Sequence, residues 1–271
     1  MILTVLHKTR YQFTEPVAGI IQSLRLWPAE CEGQHVLEWN VEITGATLGS
    51  RFRDGAGDDI QSASIRTPVT EVEITVGGRV ETQDKSGVLR GHRERVPPQA
   101  YLRDTSRTKP NRAIRDLTAQ ALDGMEGASA LDRAHALAAA VADALPYRPG
   151  ATHAHTTAAE AMIEGAGVCQ DHTQVLISAA HLAHMPARYV SGYLNASEET
   201  GLHEASHAWA EIFVDGLGWV GFDASNKSCP NDQYIRLGSG LDSQDAAPIR
   251  GLVLGGAEEH LDVTVTIDAQ Q

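Results

Sequence analysis

Apolar and polar side chains alternate in short runs from residue 1 to about residue 95. In His35-Val-Leu-Glu-Trp-Asn-Val-Glu-Ile and Val69-Thr-Glu-Val-Glu-Ile-Thr-Val-Gly-Gly the period is two, which gives each run one apolar face and predicts half-buried β-strands. Turn chemistry at Asp54-Gly-Ala-Gly-Asp-Asp and at Val76-Gly-Gly-Arg separates such runs. The opening Met1-Ile-Leu-Thr-Val-Leu-His-Lys reads as a first strand. Residues 1–95 therefore predict an antiparallel β-sandwich-like domain, with nothing in it that points to catalysis.

Val96-Pro-Pro-Gln and Arg107-Thr-Lys-Pro-Asn interrupt the alternation, and residues 96–110 are expected to form a linker. Beyond them the period lengthens. Residues 111–122 and 131–145 are alanine-rich helix candidates, the second stopped by Pro146. A third helix is expected to begin at Cys169, run through Val175-Leu-Ile-Ser-Ala-Ala-His-Leu to about His184, and halt before Pro186. Strands are expected at 187–194, 205–214 and 218–222, with two shorter ones at 251–254 and 261–267. Helices followed by strands make residues 111–271 an α+β unit, and a chain of 271 residues is long for a single core. The expectation is two domains, 1–95 and 111–271, joined by 96–110.

Composition narrows the function classes. With 42% apolar and 21% charged residues the chain has the make-up of an ordinary globular protein, and no apolar run reaches the length of a membrane span. The N-terminus has no basic stretch ahead of its apolar residues, so a signal sequence is not expected and the cytoplasm is the expected location. The formal charge of −13, from 22 basic and 35 acidic side chains, argues against nucleic acid and anionic membranes as partners. Cys31, Cys169 and Cys229 are odd in number and widely spaced, so neither a disulfide framework nor a zinc cluster is expected.

Cys169 differs from the other two in its surroundings. The segment Gly165-Ala-Gly-Val-Cys-Gln-Asp-His-Thr places it at the start of an apolar helical run. A helix N-terminus offers unpaired N–H groups and partial positive charge, which bring a thiol pKa from ~8.5 toward ~3.5–7.5. The two glycines allow a tight turn and close approach by a substrate, and the Cys169 N–H is a candidate oxyanion donor. Further along, His207, Trp209, Glu211 and Phe213 share one face of a strand, and a second strand ends in Asp223. A hairpin turned at Asp215-Gly-Leu-Gly brings His207 and Asp223 to the same end of the pair. A thiol, an imidazole and an orienting carboxylate make up the logic of a nucleophilic triad.

These residues resemble a known family. Gly167-Val-Cys-Gln-Asp, Pro186-Ala-Arg-Tyr-Val-Ser-Gly-Tyr-Leu, His207-Ala-Trp-Ala-Glu and Gly218-Trp-Val-Gly-Phe-Asp are similar to motifs of the bacterial transglutaminase-like superfamily, which includes cysteine proteases. Tyr11-Gln-Phe-Thr-Glu-Pro-Val and Leu24-Arg-Leu-Trp-Pro resemble the β-rich domain that precedes its core. The resemblance implies a papain-like core, a nucleophile helix packed on an antiparallel sheet, with Cys169 as nucleophile, His207 as base and Asp223 as orienting acid. His172 departs from the pattern, standing where relatives carry a large apolar residue.

The expected function is attack of Cys169 on a peptide or carboxamide carbonyl, giving a thioester released to water. Release to an amine, which would cross-link proteins, and a non-catalytic scaffold of the same fold are the alternatives. The expected partner is a peptide or protein substrate. No cofactor or metal is expected: no carboxylate cluster has calcium-ligand spacing. His203-Glu-Ala-Ser-His207 matches a zinc-protease pattern, but that pattern works on a helix. Along a strand the two histidines lie ~13 Å apart, too far to share one zinc. His153-Ala-His155 reads as a loop with two exposed imidazoles.

Overall fold

The computed structural model describes residues 1–195 and 206–270. Strand β1 (Ile2–Val17) carries the expected alternation: Leu3, Val5, His7 and Thr9 face inward, and Leu6, Lys8 and Arg10 are exposed. It is followed by β2 (Gly19–Leu24), β3 (Gln34–Ile43), β4 (Thr47–Arg53), β5 (Asp59–Ile65) and β6 (Val69–Thr82). A short 3-10 helix, Pro98–Leu102, leads to four α-helices, α1 (Arg112–Ala121), α2 (Ala130–Ala144), α3 (Ala158–Glu164) and α4 (Cys169–Leu182). Then come β7 (Ala187–Leu194), β8 (Ser206–Val214), β9 (Gly218–Phe222), β10 (Tyr234–Gly240), β11 (Ile249–Leu254) and β12 (Glu259–Gln270).

The strands form three antiparallel sheets of four, ordered β12-β1-β6-β3, β11-β2-β5-β4 and β10-β7-β8-β9. Two of these make the expected sandwich, with Leu24, Leu26, Trp27, Val41, Ile74 and Val76 in its core. The third carries the helices on one face, where Leu137, Val141, Leu176, Ile177 and Ala180 pack against Ala208, Ala210 and Ile212 of β8. Its other face meets the sandwich through Tyr193, Ile235 and Leu237 against Leu3, Val5 and Val80. Covered on both sides, β7 and β10 are buried at every residue. This is the expected α+β architecture, with a helix starting at Cys169 on an antiparallel sheet.

The long-range details differ from expectation. β11 pairs with β2 and β12 pairs with β1, so the last two strands hydrogen-bond to the sandwich and not to the sheet of the helical part. They cover edges of β1 and β2 that would otherwise be left open. Residues 96–110 are no free tether either. Tyr101 and Thr108 are buried, and the Tyr101 ring meets Trp219 edge-on at 5.2 Å. The expected turn at Val76-Gly-Gly-Arg lies inside β6. A Cβ at Gly78 would fall 2.2 Å from the Glu38 carbonyl oxygen and 2.6 Å from the Trp39 ring, so the glycine marks a close strand crossing beside a bulge in β3.

A buried ionic network joins the two parts. Arg188 of β7 and Arg236 of β10 both bond Glu211 of β8, at 2.7 Å and 2.9 Å. Arg188 also pairs with Glu94 and stacks 4.0 Å over the Trp219 ring, while Arg236 bonds Asp58 at 2.8 Å. Burial alone would raise the Glu211 pKa, but the two guanidinium charges and their hydrogen bonds hold it down at about 2.

Candidate active site

The nucleophile helix is held at its first turn. Gly165 ends α3 in the left-handed conformation (φ 67°), which glycine adopts without steric cost. Two residues on, Gly167 has no side chain because Asp171 occupies the space: a Cβ there would lie 2.6 Å from the Asp171 Cβ. Asp171 reaches back to accept the Val168 N–H at 2.8 Å and the Thr152 hydroxyl at 2.5 Å. This caps the helix one residue before Cys169. His172 spans two carbonyl oxygens, with Nδ1 2.9 Å from Val168 O and Nε2 2.6 Å from Leu145 O. The departure noted in the sequence thus ties the cap of α4 to the end of α2. Cys169, buried, follows as the first helical residue, whose N–H has no intrahelical acceptor.

His207 is the second residue of β8, and Asp223 follows the last residue of β9. The β8–β9 ladder runs from Val214 opposite Gly218 to Ala210 opposite Phe222, so the expected hairpin brings His207 and Asp223 to one end. Nε2 of His207 lies 2.6 Å from Oδ2 of Asp223. Cys169 lines the same cleft as His207, and with Nε2 engaged by Asp223 the other ring nitrogen, Nδ1, is left for it. The structure therefore brings together all three residues expected from the sequence. Burial opposes a charge on His207, but the bonds and charges of Asp223 and Cys169 outweigh it, and the pKa rises from 6.5 to about 10. Burial likewise opposes the Asp223 carboxylate, but bonds from His207, Ser225 and Asn226 hold its pKa at about 2.

The partners of Asp223 were not foreseen. Oδ1 accepts from the Ser225 hydroxyl at 2.6 Å and the Asn226 N–H at 3.1 Å; Oδ2 accepts from the Asn226 amide at 2.6 Å and the Tyr234 hydroxyl at 2.9 Å. Asp223-Ala-Ser-Asn has the composition of an Asx turn, a local signal that pointed to Ser225 and Asn226. Tyr234 comes from β10, and no local pattern pairs it with β9. Its ring meets Trp209 edge-on at 5.5 Å.

Cys169 and His207 open onto a cleft of about 720 Å³, lined also by Tyr189 of β7, Ile249 of β11, and Val263 and Val265 of β12. The sandwich sheets thus supply one wall. His153 and His155 lie in an exposed loop, as expected, and His155 lines the cleft. Of the zinc-protease pattern, His207 sits in a strand and His203 lies outside the described residues. No helix among the described residues is long and apolar enough to cross a membrane.

Comparison with known proteins places this geometry in context. The transglutaminase-like superfamily model matches residues 116–224, and the bacterial transglutaminase-like N-terminal region matches residues 3–81. An uncharacterised protein of Mycobacterium leprae is 29% identical over 98% of both chains. An uncharacterised protein of Mycobacterium tuberculosis is 24% identical, covering 97% of this chain and 91% of its own. The crystal structure of a "putative cysteine protease" from Cytophaga hutchinsonii superimposes with a TM-score of 0.71 at 20% identity, covering 100% of this chain and 92% of that one, a likeness of fold.

Proposed function

We propose that this chain, which belongs to the transglutaminase-like superfamily, is a thiol enzyme that takes acyl groups from peptide or carboxamide donors through a Cys169 thioester and passes them to water. The observation that carries this reading is the His207 ring, bonded to Asp223 through Nε2 and lining the same cleft as Cys169. A buried carboxylate with a pKa of about 2 stays ionised and fixes the ring through Nε2, leaving Nδ1 for proton transfer at sulfur.

In the first half-reaction sulfur attacks the carbonyl carbon, and the oxyanion forms within reach of the Cys169 N–H. His207 protonates the leaving nitrogen, the C–N bond breaks, and a thioester remains. In the second, His207 takes a proton from water, which attacks the thioester and releases an acid and the free thiol. Water is the assigned acceptor because it needs no second binding site. A cytoplasmic setting belongs to the same reading and is supported by three unpaired cysteines.

The test is alkylation by limiting iodoacetamide from pH 5 to 9, with the modified cysteine located by mass spectrometry. Cys169 should react faster than in the unfolded chain, persist below pH 7, and slow in His207→Ala. Labelling no faster than in the unfolded chain would remove the thiol-enzyme reading and leave a scaffold. Glutaminyl peptides with and without a primary amine then separate the acceptors: ammonia release without amine incorporation supports hydrolysis, and incorporation supports cross-linking.

A further inference from the structure

The chain carries 35 acidic and 22 basic side chains, yet no aspartate or glutamate is among the described residues that line the cleft. Its one arginine there is Arg107, on the same wall as His155. The half-buried Arg107 guanidinium donates through Nη1 to the Ala154 carbonyl at 3.0 Å and through Nη2 to His155 Nδ1 at 3.2 Å. Among the described residues no carboxylate is paired with it, and its two side-chain hydrogen bonds go to a carbonyl oxygen and an imidazole nitrogen. Among the described residues these contacts use two of its five N–H donors. Among the described residues, Asp171 is fully buried and bonded to Val168 and Thr152, and Asp242 accepts the backbone N–H groups of Gln244 and Asp245.

Two neutral contacts hold this cation where it lines the same cleft as the sulfur. An arginine fixed in this way presents a planar, bidentate fork that fits a carboxylate. The rest of the lining includes apolar Ile249, Val263 and Val265. The geometry points to an acyl donor that bears a carboxylate near the reacting carbonyl, read by Arg107, with an apolar portion against β11 and β12. This assignment rests on the thiol-enzyme reading and names the class of substrate for that site.

Iodoacetate and iodoacetamide test it, because they alkylate the same sulfur and differ in one negative charge. The measured quantity is the ratio of their rate constants at Cys169, iodoacetate over iodoacetamide. The His207 charge contributes equally to the ratio in every variant. In Arg107→Gln the ratio should fall by about fivefold at low ionic strength, the size of a partly exposed charge pair. Arg107→Lys should keep most of it, and Arg107→Glu should lower it further. The ratio should decline with added salt more steeply in the wild-type protein than in Arg107→Gln.

An equal ratio in wild type and Arg107→Gln, or an equal salt dependence in the two, would overturn the carboxylate site while leaving rapid iodoacetamide labelling intact. Slow iodoacetamide labelling of the wild type would instead defeat the thiol-enzyme reading itself. Arg107→Met gives the same comparison should Arg107→Gln fail to fold: its ratio should also fall by about fivefold, and a ratio equal to that of the wild type would overturn the site.

Discussion

Asp223 is a residue saturated with donors, and that sets what its replacement does. Asp223→Asn keeps the size of the side chain but removes the charge facing His207 and lets the ring take the wrong tautomer. Turnover of any amide substrate should fall by about 10⁴-fold, the scale for an orienting carboxylate in a triad, while circular dichroism stays native. Stability carries a second signature. The His207 pKa is raised, so its contribution is complete below about 6.5 and declines as pH rises through about 10. The Asp223 pKa is lowered, so its contribution is complete above its ordinary 3.8 and is lost as pH falls through about 2. The difference in unfolding free energy between wild type and Asp223→Asn should therefore be larger at about pH 5 than at about pH 10.5. Equal differences at both would show that the ion pair adds nothing to folding.

At the scale of elements, the turn into α4 makes the most specific demand. Gly167→Ala would force Asp171 off the Val168 N–H and loosen the cap just before Cys169. Overpacking of this kind costs about 1–3 kcal/mol, so a denaturant titration should show that loss and alkylation of Cys169 should slow with it. Wild-type stability and labelling would mean that the Asp171 cap does not position the sulfur. The same turn shows what the sequence made legible. Two glycines before a cysteine at a helix start announced a tight turn open to close approach by a substrate, although Cys169, Asp171 and His172 are themselves buried. That Gly165 serves a left-handed helix end and Gly167 makes room for an aspartate four residues on required coordinates. Period and punctuation likewise marked α1, α2, α4 and β7 to β9 almost to the residue, because those signals are local. Helix α3, seven residues long, and β10, buried on both faces, lack the length or the alternation that betrays an element. The pairing of β11 and β12 with β2 and β1 spans most of the chain, and no short-range pattern encodes it.

For the whole molecule, Glu211 anchors Arg188 and Arg236 within the sheet that carries His207, and Arg236 in turn ties that sheet to Asp58 beside β5 of the sandwich. Glu211→Ala leaves Arg188 and Arg236 buried with their shared anion gone, which costs about 3–5 kcal/mol and should appear as a lower urea midpoint. A loss under about 1 kcal/mol, the worth of an exposed pair, would show the network to be hydrated and incidental. The tie also sets an acid limit. With its pKa held at about 2, Glu211 contributes fully above its ordinary 4.5, and that contribution is lost as pH falls through about 2. The cleft depends on a second long-range join, since Val263 and Val265 reach it only by way of the β12–β1 ladder, which pairs Ile2 with Gln270. Synthesis delivers β1 first among these parts, the sulfur midway and β12 last. A chain still on the ribosome thus holds its nucleophile long before it holds the wall, and contacts of such sequence separation form slowly. The reactive chamber closes only once β12 has joined β1.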